Sequence, residues 1–485
     1  MLFGLNFLYK FRCPWCLLNK SNLNVKTSNR LASVIALGAT LTLGTDAWGN
    51  SSFWETIEDP TTREQLKSFV AAKEAQANAS TNNMPASFKT FFVAAEKGDW
   101  LTVSNLFEYV GQHNGQFLSS KPPDLPRGTA WDALQEIWGI YAAFAEGDEK
   151  YSVLFDNDII ESIPRGSIYF GGTDPGRFIV TAMQTSQIKG EPFFTLTQNA
   201  QADGSYLDYL RSMYGKKIYL PSADDFTACY QEYGEDGAKR LQNHQLEPGE
   251  NISVGKDGRI EVSGAVAVMK INGLITKVVF DKNINHEFYV EESFPSDWMY
   301  PYLEPHGLIF KLNREPLPEL SEQTIQRNND YWTKTVSPMI GNWVDDETSV
   351  KDIATFAEKV FLHHDFSSFA GDPRFVQNSY AHCMFSKERD NIAKLYAWHA
   401  KHSHNETERE RMNRQADFAF RQSWALCPNS PDAVFEYVQF LMDENGSSDA
   451  LLVAETAAKF PSEPDIDAAQ FENLVVQMKR YLKVK

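Results

Sequence analysis

The sequence predicts an α/β fold: a parallel-type sheet with covering helices in the middle of the chain, flanked by an N-terminal helical block and a C-terminal tetratricopeptide-like α-helical region. Three observations carry this prediction. Short β-prone runs alternate with helical stretches between residues 151 and 315. Apolar residues on both sides of that region recur at three- and four-residue spacing. Small residues repeat 34 positions apart near the C-terminus.

The 485 residues leave room for about three domains of about 150 residues. Residues 1–47 read as a leader. "LASVIALGATLTL" (32–44) is uncharged and mostly apolar, and it follows Lys26 and Arg30. It is shorter than the roughly 20 residues of a membrane span, fits a signal-peptide core, and has small residues after it for cleavage. Export is therefore expected, to the periplasm or as a membrane-anchored protein facing it. No other stretch is apolar enough to predict an integral membrane domain.

Residues 48–86 are polar and predict a linker. Residues 87–150 form the helical block. In it, "SFKTFFVAAEKGDWLTVSNLFEYVGQ" predicts a helical pair broken at Gly98-Asp99. "TAWDALQEIWGIYAAFAEGD" adds a helix with the stripe Trp131, Leu134, Trp138, Tyr141 and Ala145. From 151 to 315, "SIYF", "FFTLTQ", "KIYL", "DGRIEVSG" and "HEFYVEES" predict strands, and "YPYLEPHGLIFKLN" predicts a turn and a last strand. "RFIVTAMQTSQ", "GSYLDYLRSMYG" and "AVAVMKINGLI" predict helices between them. Residues 316–485 are helical again. There Ala416 and Ala450, and Ser423 and Ala457, stand 34 apart, with Pro428 and Pro461 at the ends of the units. That is the period of tetratricopeptide repeats.

The formal net charge is −18. Such a surface repels phosphate backbones and excludes nucleic acid as a partner. Of the five cysteines, Cys13 and Cys16 form "CPWC" within the basic leader. No thioredoxin-type strand or second ligand pair accompanies them. Cys229, Cys383 and Cys427 are scattered and predict buried thiols rather than a disulfide framework.

"SIYFGGTDPGR" (167–177) is the stretch with the clearest ligand-binding grammar. Gly171 and Gly172 follow a strand, Asp174 is placed to cap a helix, and Pro175 suits its first position. A helix N-terminus at the carboxyl end of a parallel strand binds anions, and Arg177 adds charge. Asn199 and Asp203, expected at the neighbouring strand end, complete a candidate site for a sugar phosphate or nucleotide-sugar. The spacing matches neither a dinucleotide fingerprint nor a Walker loop. The competing reading is a structural cap and turn.

The segments "IPRGSIYFGGTDPGRFIVTAM", "FFTLTQNAQADGSYLDYLRSMYG" and "VVFDKNINHEFYVEESFPSDWMYPYLEPHGLIFKLN" together resemble the soluble C-terminal part of glycosyltransferase-like, protein O-mannosyltransferase-related bacterial membrane proteins. The resemblance covers roughly residues 150–315. It also extends to exported bacterial proteins from which no activity follows. It implies the α/β region and, for the loop, Gly172 and Asp174. The transferase chemistry of that class belongs to its multi-span half, so no catalytic residue is implied.

"FLHHDF", "AHC" and "WHAKHSH" gather six of the ten histidines. His363, His364 and Asp365 are consecutive, so a helix splays them, whereas His399 and His402 share a face. HExxH is absent, and no metal or other cofactor is expected. Tyr289, Trp298, Tyr300, Tyr302 and His306 are candidates for a stacking platform for sugar or peptide. The function these features favour is a non-catalytic exported interaction or scaffold protein that binds a protein or peptide partner through helical repeats. Sugar-phosphate or nucleotide-sugar binding at 167–177 is the alternative, and the question of enzymatic activity stays open, leaning against it.

Overall fold

The computed structural model describes residues 52–113, 128–172, 175–183, 193–291, 295–462 and 466–484. The leader 1–47, with its CPWC, lies outside them. In chain order the helices are α1 (Phe53–Thr56), α2 (Pro60–Ser80), α3 (Ala86–Lys97), α4 (Trp100–His113), α5 (Thr129–Glu146), α6 (Glu149–Ser162), α7 (Pro175–Met183), α8 (Gly204–Tyr214), α9 (Ala223–Gln242) and α10 (Ala265–Lys282). They continue as α11 (Glu322–Ile340), α12 (Val350–Phe356), α13 (Pro373–Gln377), α14 (Ser379–His402), α15 (Glu406–Leu426), α16 (Pro431–Asp443), α17 (Ser447–Ala457) and α18 (Ala468–Val484). The strands are β1 (Ile168–Gly171), β2 (Phe194–Thr197), β3 (Asn251–Val254), β4 (Ile260–Ser263), β5 (Phe288–Glu291), β6 (Leu303–His306) and β7 (Ile309–Leu312).

The described residues are mostly helical with a small mixed sheet. They fall into two compact units, each discontinuous in sequence: one holds 1–145 and 199–279, the other 146–198 and 280–485. The units thus cut across the continuous segments that the sequence predicts.

In the first unit the expected linker is a helix. Asp59 caps α2 by accepting from the Thr62 amide, Pro60 opens it, and Leu66, Phe69, Val70, Lys73 and Ala77 form a buried stripe. The polar letters hid that spacing. The pair α3–α4 turns at Gly98, whose φ is 76°, and α1 seals the turn. Trp54 Nε1 donates to the Glu96 carbonyl (2.9 Å) and Phe53 N–H to the Gly98 carbonyl (2.8 Å). A Cβ at Gly98 would lie 2.8 Å from Trp54. Helix α5 is buried on nearly every side rather than along the expected stripe, of which Trp131, Leu134 and Tyr141 are buried and Trp138 and Ala145 only partly so; Phe107 stacks on Trp131 and Trp138, and Tyr141 on Phe53. Behind it lies a buried triad. Lys73 Nζ is 2.7 Å from a Glu136 carboxylate oxygen and 2.6 Å from Tyr209 Oη, and Tyr209 donates to Glu136 at 2.7 Å.

Two sequence readings change here. "KIYL" is not a strand; Ile218 and Leu220 are buried in irregular backbone just before the Ser222 cap of α9. "RIEVSG" does form β4, but in a separate antiparallel hairpin with β3. That hairpin packs with α9 and α10 around Cys229, Tyr233, Ile252, Ala267, Ile271 and Ile275.

In the second unit the main sheet has the order β2-β1-β5-β7-β6. β1 pairs in parallel with β2 and β5, while β7 runs antiparallel to β5 and β6. The expected parallel-type sheet is therefore mixed. Its antiparallel edge exists because Gly307, at φ 67°, closes a tight β6–β7 hairpin. β1, β2 and β5 are buried along their full length and, as expected for such strands, are continuously apolar or aromatic at most positions. The helical majority of this unit is organised by α14 and α15, an antiparallel pair joined by a short turn at 403–405. On α6, Asp156 is completely buried, and neither carboxyl oxygen has a hydrogen-bond partner among the described residues. Burial pushes its pKa well above the ordinary carboxylate value.

Two outcomes follow for denaturant titrations. Lys73→Met removes the cation beside buried Glu136 and is expected to cost about 3–5 kcal/mol, whereas the triple change Lys73→Met, Glu136→Leu, Tyr209→Phe recovers most of the loss. An unchanged midpoint in Lys73→Met would discard the triad as a stabilising element. Asp156 remains protonated in the native state after the unfolded chain has ionised. Its contribution to stability is therefore complete below the unfolded carboxylate pKa and is lost as pH rises through the raised native value. The stability difference between Asp156→Asn and the parent should thus move toward the variant as pH rises from about 4, the unfolded carboxylate value; a pH-independent difference contradicts the assignment.

Candidate functional site

The site is built where α12 fails to continue as an ordinary helix. Upstream, Arg421 on α15 gathers the loop before α12: its guanidinium donates to the carbonyls of Asp345 (3.1 Å), Asp346 (3.2 Å) and Thr348 (2.6 Å). Ser349 and Asp352 then form a capping box that starts α12. The helix runs into a π-helical turn, Ala357–Leu362, a wider turn frequent at functional sites. His363 N–H closes it on the Glu358 carbonyl (3.0 Å). The chain leaves through His364 and Ser368, both non-glycine residues at positive φ (51° and 61°). Asp365 ties this exit by accepting from the Ser367 amide (2.9 Å), and Lys359 Nζ donates to the Ser367 carbonyl (2.9 Å).

Between this turn and α17 lies an open groove of about 420 Å³. Ala354 and Leu452 give it an apolar floor; Lys351, Thr355, Glu358, Lys359, His363 and Asp365 form its walls. Glu358 is braced by Lys459 at 2.6 Å. The Ser367 hydroxyl and amide hold the exposed Asp365 carboxyl below its ordinary pKa, so it is an anion at neutral pH. The groove thus offers an apolar strip with charges of both signs along it. That is chemistry for holding an extended polar chain.

The structure treats the residues proposed from sequence unevenly. Gly171 ends β1, level with Thr197 of β2 and Glu291 of β5. The chain leaves β1 toward β2 on one side and returns to β5 on the other, so this is the switch point of the parallel strands. The Gly172 N–H, however, donates to the buried Glu291 carboxylate (3.2 Å), and Lys387 Nζ meets the same carboxylate at 3.0 Å. An internal anion holds the amide expected to bind phosphate. Asp174 and the Arg177 side chain lie outside what is described. Asp203 is a helix cap, accepting from the Ser205 amide and hydroxyl at the start of α8. Asn199 sits in the 3₁₀ turn Gln198–Ala200 that directly follows β2, at the expected neighbouring strand end.

The aromatic candidates do not form one platform. Tyr300 stacks on Trp398, Trp298 and Tyr302 pack with Phe280, and His306 lies against Tyr289 with Nε2 on the Ser162 carbonyl (3.0 Å). Nor do the histidines converge. His363 and His364 are exposed, His402 stacks on Trp398, and burial lowers the His399 pKa to about 4. Sequence reasoning missed two groupings: Glu291 with Lys387, and His382 with Cys383 and Cys427. Both join residues far apart in the chain, so only helix and strand register reveals them.

No protein-family model matches this chain, and no curated protein or solved structure matches it. Among the described residues, no helix is long and apolar enough to cross a membrane.

Arg421→Met would strip three carbonyls of their donor at once, an expected loss of about 3 kcal/mol. Hydrogen exchange should show residues 345–356 losing protection first; uniform loss across the helices would mean that Arg421 does not act through this loop.

Proposed function

We propose that the chain is a non-catalytic, exported interaction protein that holds a peptide segment of a partner protein in the groove between the π-helical turn and α17. The observation that carries this reading is the groove itself: an apolar floor at Ala354 and Leu452, walls bearing Lys351, Lys359 and Asp365, and strained backbone at its exit. Its volume falls in the ordinary range for binding sites. The repeat-like reading of the C-terminal helices supports it. Ala416, Ala450, Ser423 and Ala457, the small residues 34 apart, are all fully buried, as close helix packing in a tetratricopeptide-like stack requires. The apolar run 32–44 supports export. Binding of a sugar phosphate at 167–177 is the weaker reading, because Gly172 already serves Glu291.

Selection of phage-displayed random peptides on the wild-type protein tests the proposal, with Thr355→Trp as the blocked groove. Thr355 is exposed, so the substitution fills space without touching the core. Selected peptides should bind the variant at least about tenfold more weakly, a change of about 1.4 kcal/mol, with circular dichroism unchanged. Equal binding to both proteins, or no selected family, would sink the reading.

A further inference from the structure

The geometry points to a transition-metal site of the Zn²⁺ type, made by His382, Cys383 and Cys427. His382 Nδ1 lies 3.1 Å from Cys427 Sγ, and Cys383 Sγ lies 3.0 Å from the same sulfur. All three ligand atoms fall within 4.8 Å of one another. Two thiolates and an imidazole are the donor set that zinc favours. Tetrahedral bonds of about 2.3 Å to sulfur and about 2.0 Å to nitrogen put ligand atoms about 3.6–3.8 Å apart. The two sulfurs, 3.0 Å apart, would move apart by about 0.7 Å to reach that spacing.

The helices preset this arrangement. Ser386 and Ser423 exchange hydrogen bonds across α14 and α15, each hydroxyl donating to the other's carbonyl (2.8 and 2.9 Å). One turn further along that contact, Cys383 and Cys427 must face each other. Cys427 is the cap residue of α15 and completely buried, and His382 is 4 % exposed. Phe361 and Phe375 flank the imidazole ring at 5.4 and 6.3 Å and fix its plane. Cys383 is half-buried, so one side of the cluster faces solvent. The site therefore has three protein ligands and a fourth position for water, the open form of a zinc centre.

The imidazole separates this reading from a simple disulfide. A Cys383–Cys427 bond would need the sulfurs about 1 Å closer, at about 2.05 Å, and would make no use of His382. Metal binding uses all three groups. Its balance is Zn²⁺ taken up, two thiol protons released, and neutral imidazole supplying its lone pair, with no oxidant required.

The test uses the full chain, reduced and stripped of metal, with Cys13→Ser, Cys16→Ser and Cys229→Ser removing the other thiols. Co²⁺ serves as the spectroscopic stand-in, followed by Zn²⁺ competition. One equivalent of Co²⁺ should produce a thiolate-to-cobalt charge-transfer band that Zn²⁺ abolishes. Adding Cys383→Ser or Cys427→Ser should remove the band, and His382→Gln should weaken binding and alter the band's position. Circular dichroism checks that each variant is folded, and half-buried Cys383 provides a variant that leaves the interior intact. No charge-transfer band in the folded, reduced parent overturns the proposal. So does a band that survives both serine variants, or a protein isolated with a Cys383–Cys427 disulfide that binds no Co²⁺ after reduction.

Discussion

The second unit depends on the antiparallel register of α14 and α15. Three polar contacts fix it along one seam: Arg389 Nε to Gln422 (2.8 Å), the Ser386–Ser423 exchange, and Cys383 against Cys427. All except Cys383 are completely or almost completely buried. A buried polar seam tolerates one alignment only, because sliding either helix would strand each group without a partner. Arg389 shows how much the seam withstands. Its guanidinium, fully buried, is balanced by the Gln422, Asn328 and Asn329 carbonyl oxygens and by the Trp332 ring rather than by a carboxylate. Burial pulls its pKa down to about 10, still far above neutrality. The surrounding amides therefore solvate a permanent cation.

From that register the rest of the unit is placed outward. Arg421, one residue before Gln422, reaches the 345–348 loop and sets where α12 begins. Lys387, one residue after Ser386, reaches Glu291 at the end of β5 and joins the helices to the sheet. Neighbouring residues on each helix point in different directions, so one fixed helix pair anchors the sheet on one side and the groove wall on another. The small sheet is consequently a dependent element here. Four-residue strands bury little on their own, and Glu291 gives their carboxyl ends an internal charge in place of a ligand's.

What the sequence disclosed follows period and punctuation. The α3–α4 break at Gly98, the helix α5 and the strands β1, β2 and β5 were legible because each depends on neighbours within a few residues. The helix α2 was missed because its apolar stripe, Leu66, Phe69, Val70 and Ala77, is diluted by polar letters. "KIYL" carried β propensity without a partner strand, and propensity alone makes no ladder. The candidate sites were the least legible. Nothing in "ATFAEKVFLHHD" marks a π turn, since the wider turn is settled by tertiary packing. Asp203 shows the converse. Its residue type suits a ligand and a helix cap equally, and local geometry decided for the cap.

The π turn touches the thiol–imidazole cluster through one of its own side chains. Phe361 belongs to the π turn, and its ring packs edge-on against His382 at 5.4 Å. The extra residue of the π turn rotates the following side chains relative to a continuous α-helix. Along this segment Phe361 is buried against the imidazole, whereas His363 and Asp365 are exposed at the groove wall. An α-helical continuation would bring different residues to both places. The unusual turn, the contact of Phe361 with His382 and the positive-φ exit at His364 thus lie on one continuous stretch, 357–364, so the wall of the groove and the packing against the imidazole are set by the same backbone.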